Sequence, residues 1–361
     1  MRIGLISSPD EISVDDLRYI LRVLNSLKID VLIEDSISKL VGVEGKSLRE
    51  IADVNYVLII GSDRTILRTL LYIGDKSIPM ISLSGRGVKS FLAVASIDDF
   101  THIIKRIIKG DYEVINRLRI EAEVDGQRSP PALNEIALFA RLSGKMLRYS
   151  LIINDEFIWR DEGDGVIIST PTGSTAYALS AGGVIVMGDA NVIEIVPVNT
   201  TILTHRPIIT SALNKVMIDE INPPDCTLVI DGQLREKINS GRITIRKSKY
   251  YAKFISFPHD EYSVIYRKLR KRVISIDEEI NLKALPPSSK FVFKVLRYEG
   301  PLTTRELINK TGLPARTVSH ALKILLEREL VVKRSYSRDS RQKLYSINYT
   351  LLKGKSQKEL F

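Results

Sequence analysis

The sequence predicts an α/β protein in three parts: an N-terminal Rossmann-like α/β domain, a central all-β domain, and a small C-terminal helical domain that ends in a β-hairpin. Three observations give this division. Strand and helix patterns alternate over residues 1–112, short strand patterns follow one another over 113–256, and positive charge is concentrated after residue 285. A chain of 361 residues is long enough for two or three domains.

The N-terminal part alternates short apolar runs with helical spacing. The run Ile3–Ser7 predicts a strand, and apolar residues at helical spacing predict a helix over Val14–Leu27. The apolar run Tyr56–Ile60 predicts a further strand, which is followed by a helix that includes Thr65–Leu71. Such alternation is typical of a parallel sheet covered by helices. A returning helix over 257–275 is expected to complete this domain.

The pattern of the central part predicts short strands separated by turn residues. Asp125-Gly126 and Asn154-Asp155 are typical of hairpin turns between such strands. We therefore predict an all-β domain over 113–256, whose last strand is Tyr251–Ser256. Residues 276–288 contain adjacent prolines and predict a linker.

The excess of positive charge lies in one segment. Between Leu285 and Phe361 there are sixteen Lys and Arg against six Asp and Glu, an excess equal to the net charge of +10 on the whole chain. This distribution predicts a nucleic-acid partner for that segment alone. The alternative is a solvated basic tail, which the fold pattern of the segment disfavours.

Cysteine content and hydropathy argue against two further classes of protein. Cys226 is the single cysteine, so no internal disulfide can form, which is typical of the reducing cytoplasm. No apolar run approaches the ~18 residues of a membrane-spanning helix, and the N-terminus lacks a signal-peptide pattern. We therefore expect a cytoplasmic protein without a membrane partner.

Two short polar segments are candidate sites. The turn Gly61–Thr65 presents backbone N–H groups at a helix N-terminus, which suits a phosphate, and Asp63 could orient a hydroxyl, accept its proton or hold Mg²⁺. The alternative is that Asp63 only caps the helix. Asn134 and Glu135 stand together at a predicted strand start and could bind a ribose diol. Here the alternative is a polar edge strand.

The most distinctive segment is Asp164–Tyr177, with the sequence DGVIISTPTGSTAY. An apolar strand leads into residues rich in hydroxyls and glycine, and then into a helix start. Hydroxyls and free backbone amides at a helix N-terminus bind nucleotide phosphates favourably. A purely structural role explains the run poorly, because it buries little and loses much entropy on ordering.

These motifs resemble those of the NAD kinase family. The run Asp164–Tyr177 is similar to the signature loop of that family, Gly61–Arg68 resembles its Gly-Gly-Asp-Gly-Thr motif, and Asn134-Glu135 matches its Asn-Glu motif. Further similar segments follow in order: Tyr112–Leu118, Arg206–Ile208, Val229–Gln233 and Tyr266–Leu269. The resemblance covers roughly Met1–Val273 and implies the NAD kinase fold, an α/β domain with an all-β domain.

The resemblance also implies a reaction, in which the γ-phosphoryl group of ATP is transferred to the 2′-hydroxyl of the adenosine ribose of NAD. Asp63 is then the catalytic residue, and Mg²⁺ bridges the ATP phosphates with no direct protein ligand expected beyond Asp63. The implied ATP-phosphate ligands are Gly61, Ser62, Arg64, Thr65 and Arg68. The implied NAD ligands are Asn134, Glu135, Asp164, Thr172, Gly173, Ser174, Thr175, Ala176, Tyr177, Ser180 and Asp231. Asp164 is expected to act from a neighbouring subunit of a homodimer or homotetramer.

Three departures from the family pattern fall near the expected nucleotide. Ser62 and Arg64 stand in place of glycines, Ser84 stands where the family has Asn, and Thr200-Thr201 replaces a common Pro-His pair. The dinucleotide half of the site is matched better than the phosphate-donor half. Two hypotheses therefore stay open: a NAD kinase, or a catalytically impaired NAD(P)-sensing regulator of transcription on the same fold.

Residues 289–350 show the order helix, helix, turn, helix and β-hairpin. Apolar spacing predicts helices over Ser289–Tyr298, from Thr303 and over Ala315–Arg328, with strands Val331–Ser335 and Lys343–Ile347. This is the winged helix-turn-helix pattern, and the stretch resembles bacterial and archaeal transcription regulators. Residues 351–361 form a basic tail.

We expect this domain to bind double-stranded DNA, because the first turns of such a third helix reach base edges in the major groove. The candidate residues on that helix are Arg316, Thr317, Ser319, His320 and Lys323, and those on the wing are Arg338, Arg341 and Lys343. The alternative is a winged helix used only for protein contacts. An oligomeric kinase core would pair two such domains, so dinucleotide occupancy could change their spacing and couple dinucleotide level to transcription.

Overall fold

The computed structural model describes residues 1–74, 76–142, 144–257, 285–299, 301–336 and 339–348. The chain divides into two compact units between Asp260 and Glu261, and each is described by itself. Within the described residues, no helix is long and apolar enough to cross a bilayer. The predicted returning helix beyond residue 257, the linker up to residue 284 and the basic tail lie outside the described residues.

The first part of unit one follows the predicted alternation of strands and helices. Its strands are β1 (Arg2–Ser7), β2 (Asp30–Ile33), β3 (Tyr56–Ile60), β4 (Met80–Ser84), β5 (Ala95–Ser96) and β6 (Glu113–Arg117). Its helices are α1 (Val14–Ser26), α2 (Asp35–Ser38), α3 (Leu48–Ile51), α4 (Asp63–Ile73) and α5 (Phe100–Ile108). The spacing that predicts α1 buries Leu17, Ile20 and Leu24 against the sheet.

The second part of unit one is almost entirely strands. They are β7 (Ile120–Val124), β8 (Gln127–Arg128), β9 (Glu135–Ala140), β10 (Leu147–Ile153), β11 (Glu156–Gly163), β12 (Gly165–Ser169), β13 (Val192–Val198), β14 (Ile208–Ser211), β15 (Val216–Asn222), β16 (Asp225–Ile230), β17 (Leu234–Asn239), β18 (Ile243–Lys247) and β19 (Ala252–Ser256). The short helix α6 (Tyr177–Ser180) follows β12.

The first sheet has the strand order β2-β1-β3-β4-β19-β6, with β5 paired to β4. Strands β1 to β4 and β19 run parallel, and β6 pairs antiparallel with β19. The predicted all-β range 113–256 is therefore wrong at both ends, since β6 and β19 belong to the first sheet. Ala252 pairs with Arg117, and such a partner far away in the sequence leaves no mark in a local strand pattern.

Two antiparallel sheets of six strands each form the rest of unit one. Their orders are β11-β10-β15-β18-β7-β8 and β14-β13-β12-β9-β16-β17. Alternate residues of both sheets, such as Ile136, Leu138 and Leu151, share one hydrophobic core. Ala137 points to the opposite face of the second sheet, where it packs with Ala178 of α6. Because side chains alternate along a strand, Glu135, Ala137 and Phe139 lie on that opposite face together.

Unit two has three helices and a small antiparallel sheet among its described residues. The elements are α7 (Pro287–Glu299), β20 (Leu302–Thr303), α8 (Thr304–Thr311), α9 (Ala315–Glu327), β21 (Val331–Tyr336) and β22 (Asp339–Ile347), and the sheet order is β20-β22-β21. Helix α8 begins with a capping box between Thr303 and Glu306. Helix α7 begins at Pro287, inside the predicted linker 276–288, which corrects the end of that range. A proline is tolerated there because the first helical N–H has no partner in the helix.

Candidate functional site

The predicted turn Gly61–Thr65, called the acidic loop below, follows the carboxyl end of the parallel strand β3. Gly61 has a φ of +148°, and a Cβ at this position would lie 2.1 Å from Oε2 of Glu11. The backbone conformation therefore favours glycine here, and the missing side chain leaves room for this carboxylate. Asp63 is the first residue of α4, directly after the N-cap Ser62.

The carboxylate of Asp63 is held by the loop that follows β4. Its Oδ1 accepts hydrogen bonds from the Ser90 hydroxyl at 2.6 Å and from the N–H groups of Phe91 at 2.7 Å and Leu92 at 2.8 Å. The predicted catalytic side chain is thus fixed in one orientation. The role of Ser90–Leu92 was missed from the sequence, because the donors are mostly backbone groups that carry no residue signature.

The hydroxyls predicted to bind donor phosphate are already bonded inside the protein. Glu11 accepts hydrogen bonds from the Ser62 N–H at 3.0 Å, from the Thr65 hydroxyl at 2.6 Å and from the Ser62 hydroxyl. Glu11 lies in the loop between β1 and α1 and was not singled out from the sequence. An acid in a loop gives no local signal that its partner lies some fifty residues further along the chain.

The two arginines of the acidic motif have different surroundings. Arg68 donates from Nη2 to the Ser7 carbonyl at 3.0 Å and to the two carboxylate oxygens of Glu34 at 3.0 and 3.1 Å. Burial raises the pKa of Glu34 despite the attraction of the Arg68 guanidinium. Arg64 is exposed. Arg68 is therefore an internal ion-pair partner in this structure, whereas the Arg64 side chain faces solvent.

Asp231 organises the start of β9. Its carboxylate accepts hydrogen bonds from the backbone N–H groups of Leu133 at 2.8 Å, Asn134 at 2.6 Å and Glu135 at 3.2 Å. Complete burial raises its pKa to about 6, although the three N–H donors act in the opposite direction. Asp231, predicted as a NAD ligand, thus sets the backbone conformation on which Asn134 and Glu135 stand.

Glu135 is a buried carboxyl group beside this buried carboxylate. Burial, with a smaller contribution from Asp231, raises the pKa of Glu135 to about 8. Its Oε2 atom is buried and has no hydrogen-bond partner among the described residues. The side chain is therefore mostly protonated at neutral pH and can donate one hydrogen bond as well as accept one.

The signature loop folds onto the same backbone segment. The Thr170 N–H donates to the Asn134 carbonyl at 2.8 Å, and the Thr170 hydroxyl donates to the Leu133 carbonyl and accepts from the Gly173 N–H at 3.1 Å. A Cβ on Gly173 would lie 2.0 Å from the Asn134 carbonyl oxygen. The structure thus brings the Asn-Glu motif and the loop together through Thr170, which is not among the residues predicted from the sequence.

The remaining loop residues differ in exposure. Ser174 is fully buried, and its hydroxyl donates to the Pro171 carbonyl at 2.8 Å. Tyr177 and Ser180 are exposed, whereas Thr172, Thr175 and Ala176 are half-buried. Asp164 is exposed and accepts a hydrogen bond from the Asn199 amide at 2.7 Å.

A cavity of about 420 Å³ opens beside this loop. The predicted residues Glu135 and Tyr177 line it, together with Ala137, Phe139, Val229, Gly232 and Arg235. The ring of Tyr177 lies 6.1 Å from that of Phe139. The cavity can therefore accept a flat ring against aromatic walls, a hydrogen-bonding group at Glu135 and an anion at Arg235. The two-residue period of β9 was a signal from which Ala137 and Phe139 could have been found.

Helix α4 ties the acidic loop to this dinucleotide half. Leu133, next to Asn134, packs in one hydrophobic cluster with Ile66 and Leu70 of α4. The buried guanidinium of Arg119 donates to the carbonyls of Leu70, Gly74 and Pro131. Burial lowers the pKa of Arg119 to about 10, which leaves it charged at neutral pH. The helix that begins at Asp63 is thus fastened at its far end to the segment that enters the Asn-Glu motif.

In unit two, helix α9 presents one polar face. Arg316, Ser319, His320 and Lys323 are exposed, and Thr317 is half-buried, whereas Val318, Ala321, Leu322 and Leu325 are buried. Lys343 is half-buried on β22. Arg338 and the side chain of Arg341 lie outside the described residues.

Two domain families match this chain. Residues 4–112 match the ATP-NAD kinase N-terminal domain, and residues 133–257 match the ATP-NAD kinase C-terminal domain. An NAD kinase from Clostridium botulinum is 35% identical over 228 residues, which are 62% of this chain and 81% of that relative. An NAD kinase from Methanothermobacter thermautotrophicus is 32% identical over 281 residues, which are 76% of this chain and 96% of that relative.

Solved structures show the same fold over about three quarters of the chain. A yeast NADH kinase complexed with NADH gives a TM-score of 0.69 at 21% identity, over 74% of this chain and 87% of that one. An NAD kinase from Archaeoglobus fulgidus in complex with ATP gives a TM-score of 0.64 at 24% identity, over 75% of this chain and 99% of that one. The chain therefore belongs to the ATP-NAD kinase family and is an enzyme of that family.

Proposed function

We propose that unit one transfers the γ-phosphoryl group of ATP to the 2′-hydroxyl of the adenosine ribose of NAD. The observation that carries this proposal is the fixed carboxylate of Asp63 at the start of α4, a helix fastened to the segment that enters the Asn-Glu motif. Phosphoryl transfer depends mainly on positioning and charge stabilisation, which such a rigid arrangement supplies.

Asp63 is the group that engages the acceptor hydroxyl. Its three hydrogen bonds all end on Oδ1, so Oδ2 is the oxygen that takes the proton as the ribose oxygen attacks the γ-phosphorus. The bond from that phosphorus to the bridging oxygen breaks, and ADP leaves. The loop Ser90–Leu92 keeps Asp63 from turning away during this step.

The dinucleotide lies in the cavity beside the signature loop. Tyr177 and Phe139 contact a ring of NAD, and Arg235 lies near an anionic group. Glu135, protonated at neutral pH, donates a hydrogen bond to a ribose oxygen, and Asn134 holds a neighbouring hydroxyl. Thr172, Gly173, Ser174, Thr175, Ala176 and Ser180 shape the wall that Tyr177 continues. Asp164 contributes from a second subunit of a homodimer or homotetramer.

The acidic loop fits Mg²⁺ held mainly by ATP. Among the described residues, no three His, Cys, Asp or Glu side chains are grouped to hold a metal. Mg²⁺ characteristically keeps water and phosphate oxygens among its ligands, so the ATP phosphates and water would hold it while Oδ2 of Asp63 faces the ribose hydroxyl. When bound, Mg²⁺ neutralises charge on the donor phosphates.

A turnover assay with ATP, Mg²⁺ and NAD tests this function. We expect NADP to form, with the new phosphate located on the adenosine ribose by NMR. Tight binding of NAD without NADP formation, with ATP or polyphosphate as donor, would overturn the enzyme proposal and favour a pure dinucleotide sensor.

We also propose that unit two is a winged helix that binds double-stranded DNA. The supporting observation is that Arg316, Ser319, His320 and Lys323 share the exposed face of α9, at the spacing of neighbouring helical turns. Thr317 flanks this face, and Arg338, Arg341 and Lys343 of the wing contact the DNA backbone. Paired subunits present two such helices, and dinucleotide occupancy in unit one changes the affinity for DNA.

Fluorescence anisotropy of labelled duplex DNA with the full chain tests this second function. We expect an affinity that falls steeply with salt concentration, because bound phosphates release counterions. Repeating the titration with saturating NAD or NADP tests the coupling. Identical affinities for DNA with and without the dinucleotide would contradict it. Binding without salt dependence would leave unit two as a protein-contact domain.

A further inference from the structure

Glu11, in the loop between β1 and α1, accepts its three side-chain hydrogen bonds from the acidic loop. Its Oε2 accepts from the Ser62 N–H at 3.0 Å and from the Thr65 hydroxyl at 2.6 Å, and its Oε1 accepts from the Ser62 hydroxyl. Three donors at the first turn of a helix thus converge on one internal anion. Ser62 caps α4 without a side-chain bond to the helix, so its hydroxyl is committed to Glu11.

Two glycines keep the space that Glu11 occupies. A Cβ on Gly61 would lie 2.1 Å from Oε2 of Glu11, and a Cβ on Gly85 would lie 2.5 Å from the Glu11 carbonyl oxygen. The loops on both sides therefore close around this residue. An anion that contacts glycine backbone, an N–H group and hydroxyls at a helix start has the surroundings that a nucleotide phosphate takes.

We propose that Glu11 is a donor-site residue, which holds the acidic loop in the nucleotide-free enzyme and is exchanged for an ATP phosphate on binding. This inference rests on the proposed role of the acidic loop as the donor site. A carboxylate and a phosphate repel each other and cannot share the same three donors. Only the population in which Glu11 has left the loop binds ATP, so the apparent affinity is reduced by that fraction.

Replacing the charge while keeping the size of the side chain tests the exchange. In the full-length Glu11→Gln variant, we expect a non-hydrolysable ATP analogue with Mg²⁺ to bind about tenfold more tightly in titration calorimetry. The KM for ATP falls by the same factor, while kcat and the Kd for NAD stay within about twofold. A residue that only stabilised the fold would not separate the donor KM from kcat in this way.

Asp10→Asn is the matched control, because it removes the same charge from the adjacent residue. Asp10 is exposed and is hydrogen-bonded to Ser8 rather than to the acidic loop. We expect its affinity for the ATP analogue to stay within about twofold of the unmodified enzyme. An equal gain in Asp10→Asn and Glu11→Gln would reduce the effect to general electrostatics and overturn the proposal.

Glu11→Asp tests the same contact with a shorter side chain and leaves the donors in place. The shortened carboxylate reaches fewer of the three donors, so we expect about threefold tighter analogue binding, in the same direction as Glu11→Gln. It decides the question if Glu11→Gln does not fold. Unchanged or weaker analogue binding in the folded variants would overturn the proposal. Calorimetry requires no turnover. A lack of NADP formation would therefore reject the kinase proposal, whereas the affinity for the ATP analogue would still test the role of Glu11.

Discussion

The two halves of the active site differ in how far their polar groups are already paired. In the donor half, Ser62 and Thr65 are bonded to Glu11, and Nη2 of Arg68 is paired with Glu34, while its buried Nε has no partner among the described residues. In the dinucleotide half, a cavity of about 420 Å³ stays open, and Oε2 of Glu135 is buried without a partner among the described residues. A buried polar atom without a partner is costly, so it marks a place where a ligand is expected. We therefore expect NAD to meet a preformed surface, whereas ATP must exchange internal partners.

The largest expected effect comes from Asp63, where the donor half performs its chemistry. In Asp63→Asn, the amide oxygen can still accept from Ser90 and the two backbone N–H groups, but it cannot take the ribose proton. We expect kcat to fall by roughly 10²–10⁴-fold in the NADP-formation assay. The Kd for NAD should stay within about twofold by calorimetry. Unchanged turnover would mean that another group engages the ribose hydroxyl.

Arg119 joins the two halves, so its removal should destabilise the unit that contains both. In Arg119→Met, the carbonyls of Leu70, Gly74 and Pro131 lose their common donor in a buried place. We expect the free energy of unfolding to fall by about 3 kcal/mol in urea titrations. Arg128→Met is the control, since Arg128 is an exposed partner of Glu121 and should cost less than about 1 kcal/mol. Equal losses of unfolding free energy in the two variants would contradict the role of Arg119 as a buried link between the two halves.

The raised pKa of Glu135 predicts how the stability of unit one changes with pH. Its pKa in the folded protein is about 8, above the ordinary 4.5, so the folded state binds the proton more tightly than the unfolded chain does. Its contribution to stability is therefore complete below about pH 4.5 and is lost as the pH rises through 8. In Glu135→Gln, this loss disappears, and we expect the variant to exceed the unmodified protein in unfolding free energy at pH 9 but not at pH 4. An unchanged pH slope between pH 5 and 9 would contradict the raised pKa.

The smallest expected effect concerns unit two. Arg316 lies in the first turn of α9, where a recognition helix meets base edges, so we expect Arg316→Ala to weaken binding of duplex DNA about tenfold. Arg328, exposed at the other end of α9, serves as the control, and Arg328→Ala should change the affinity by less than about twofold. Anisotropy titrations at one fixed salt concentration measure both. If Arg328→Ala had the larger effect, α9 would not be the recognition helix in the proposed orientation.

Most of the fold could be predicted because periodicity reports which face of a segment is buried. The strand Tyr56–Ile60 and helix α1 follow their apolar patterns closely. Strand β17 was missed, since Leu234–Asn239 is mostly polar and pairs as an edge strand beside β16. Strand β6 was not predicted, and its residues were assigned with β19 to the all-β domain, because strand partners distant in sequence are chosen by tertiary packing.

The candidate site could be predicted where motifs are contiguous, and not where the structure assembles it from separate loops. Asn134, Glu135 and the signature loop do meet, through Thr170. Glu11 carries no local signal, although it holds the acidic motif. Arg119 also carries no signal in the sequence, because a single arginine at the end of a strand is usually solvated. Side chains that bond to distant backbone groups give no local pattern from which they could be predicted.

Separate titrations of NAD and of a non-hydrolysable ATP analogue into the nucleotide-free enzyme test the contrast between the two halves most directly. The preformed dinucleotide half predicts that NAD alone binds saturably, with a Kd within about twofold of that measured in the presence of the analogue. The occupied donor half predicts that analogue affinity depends on Glu11 while NAD affinity does not. NAD binding that appears only after the analogue is added would contradict a preformed dinucleotide half.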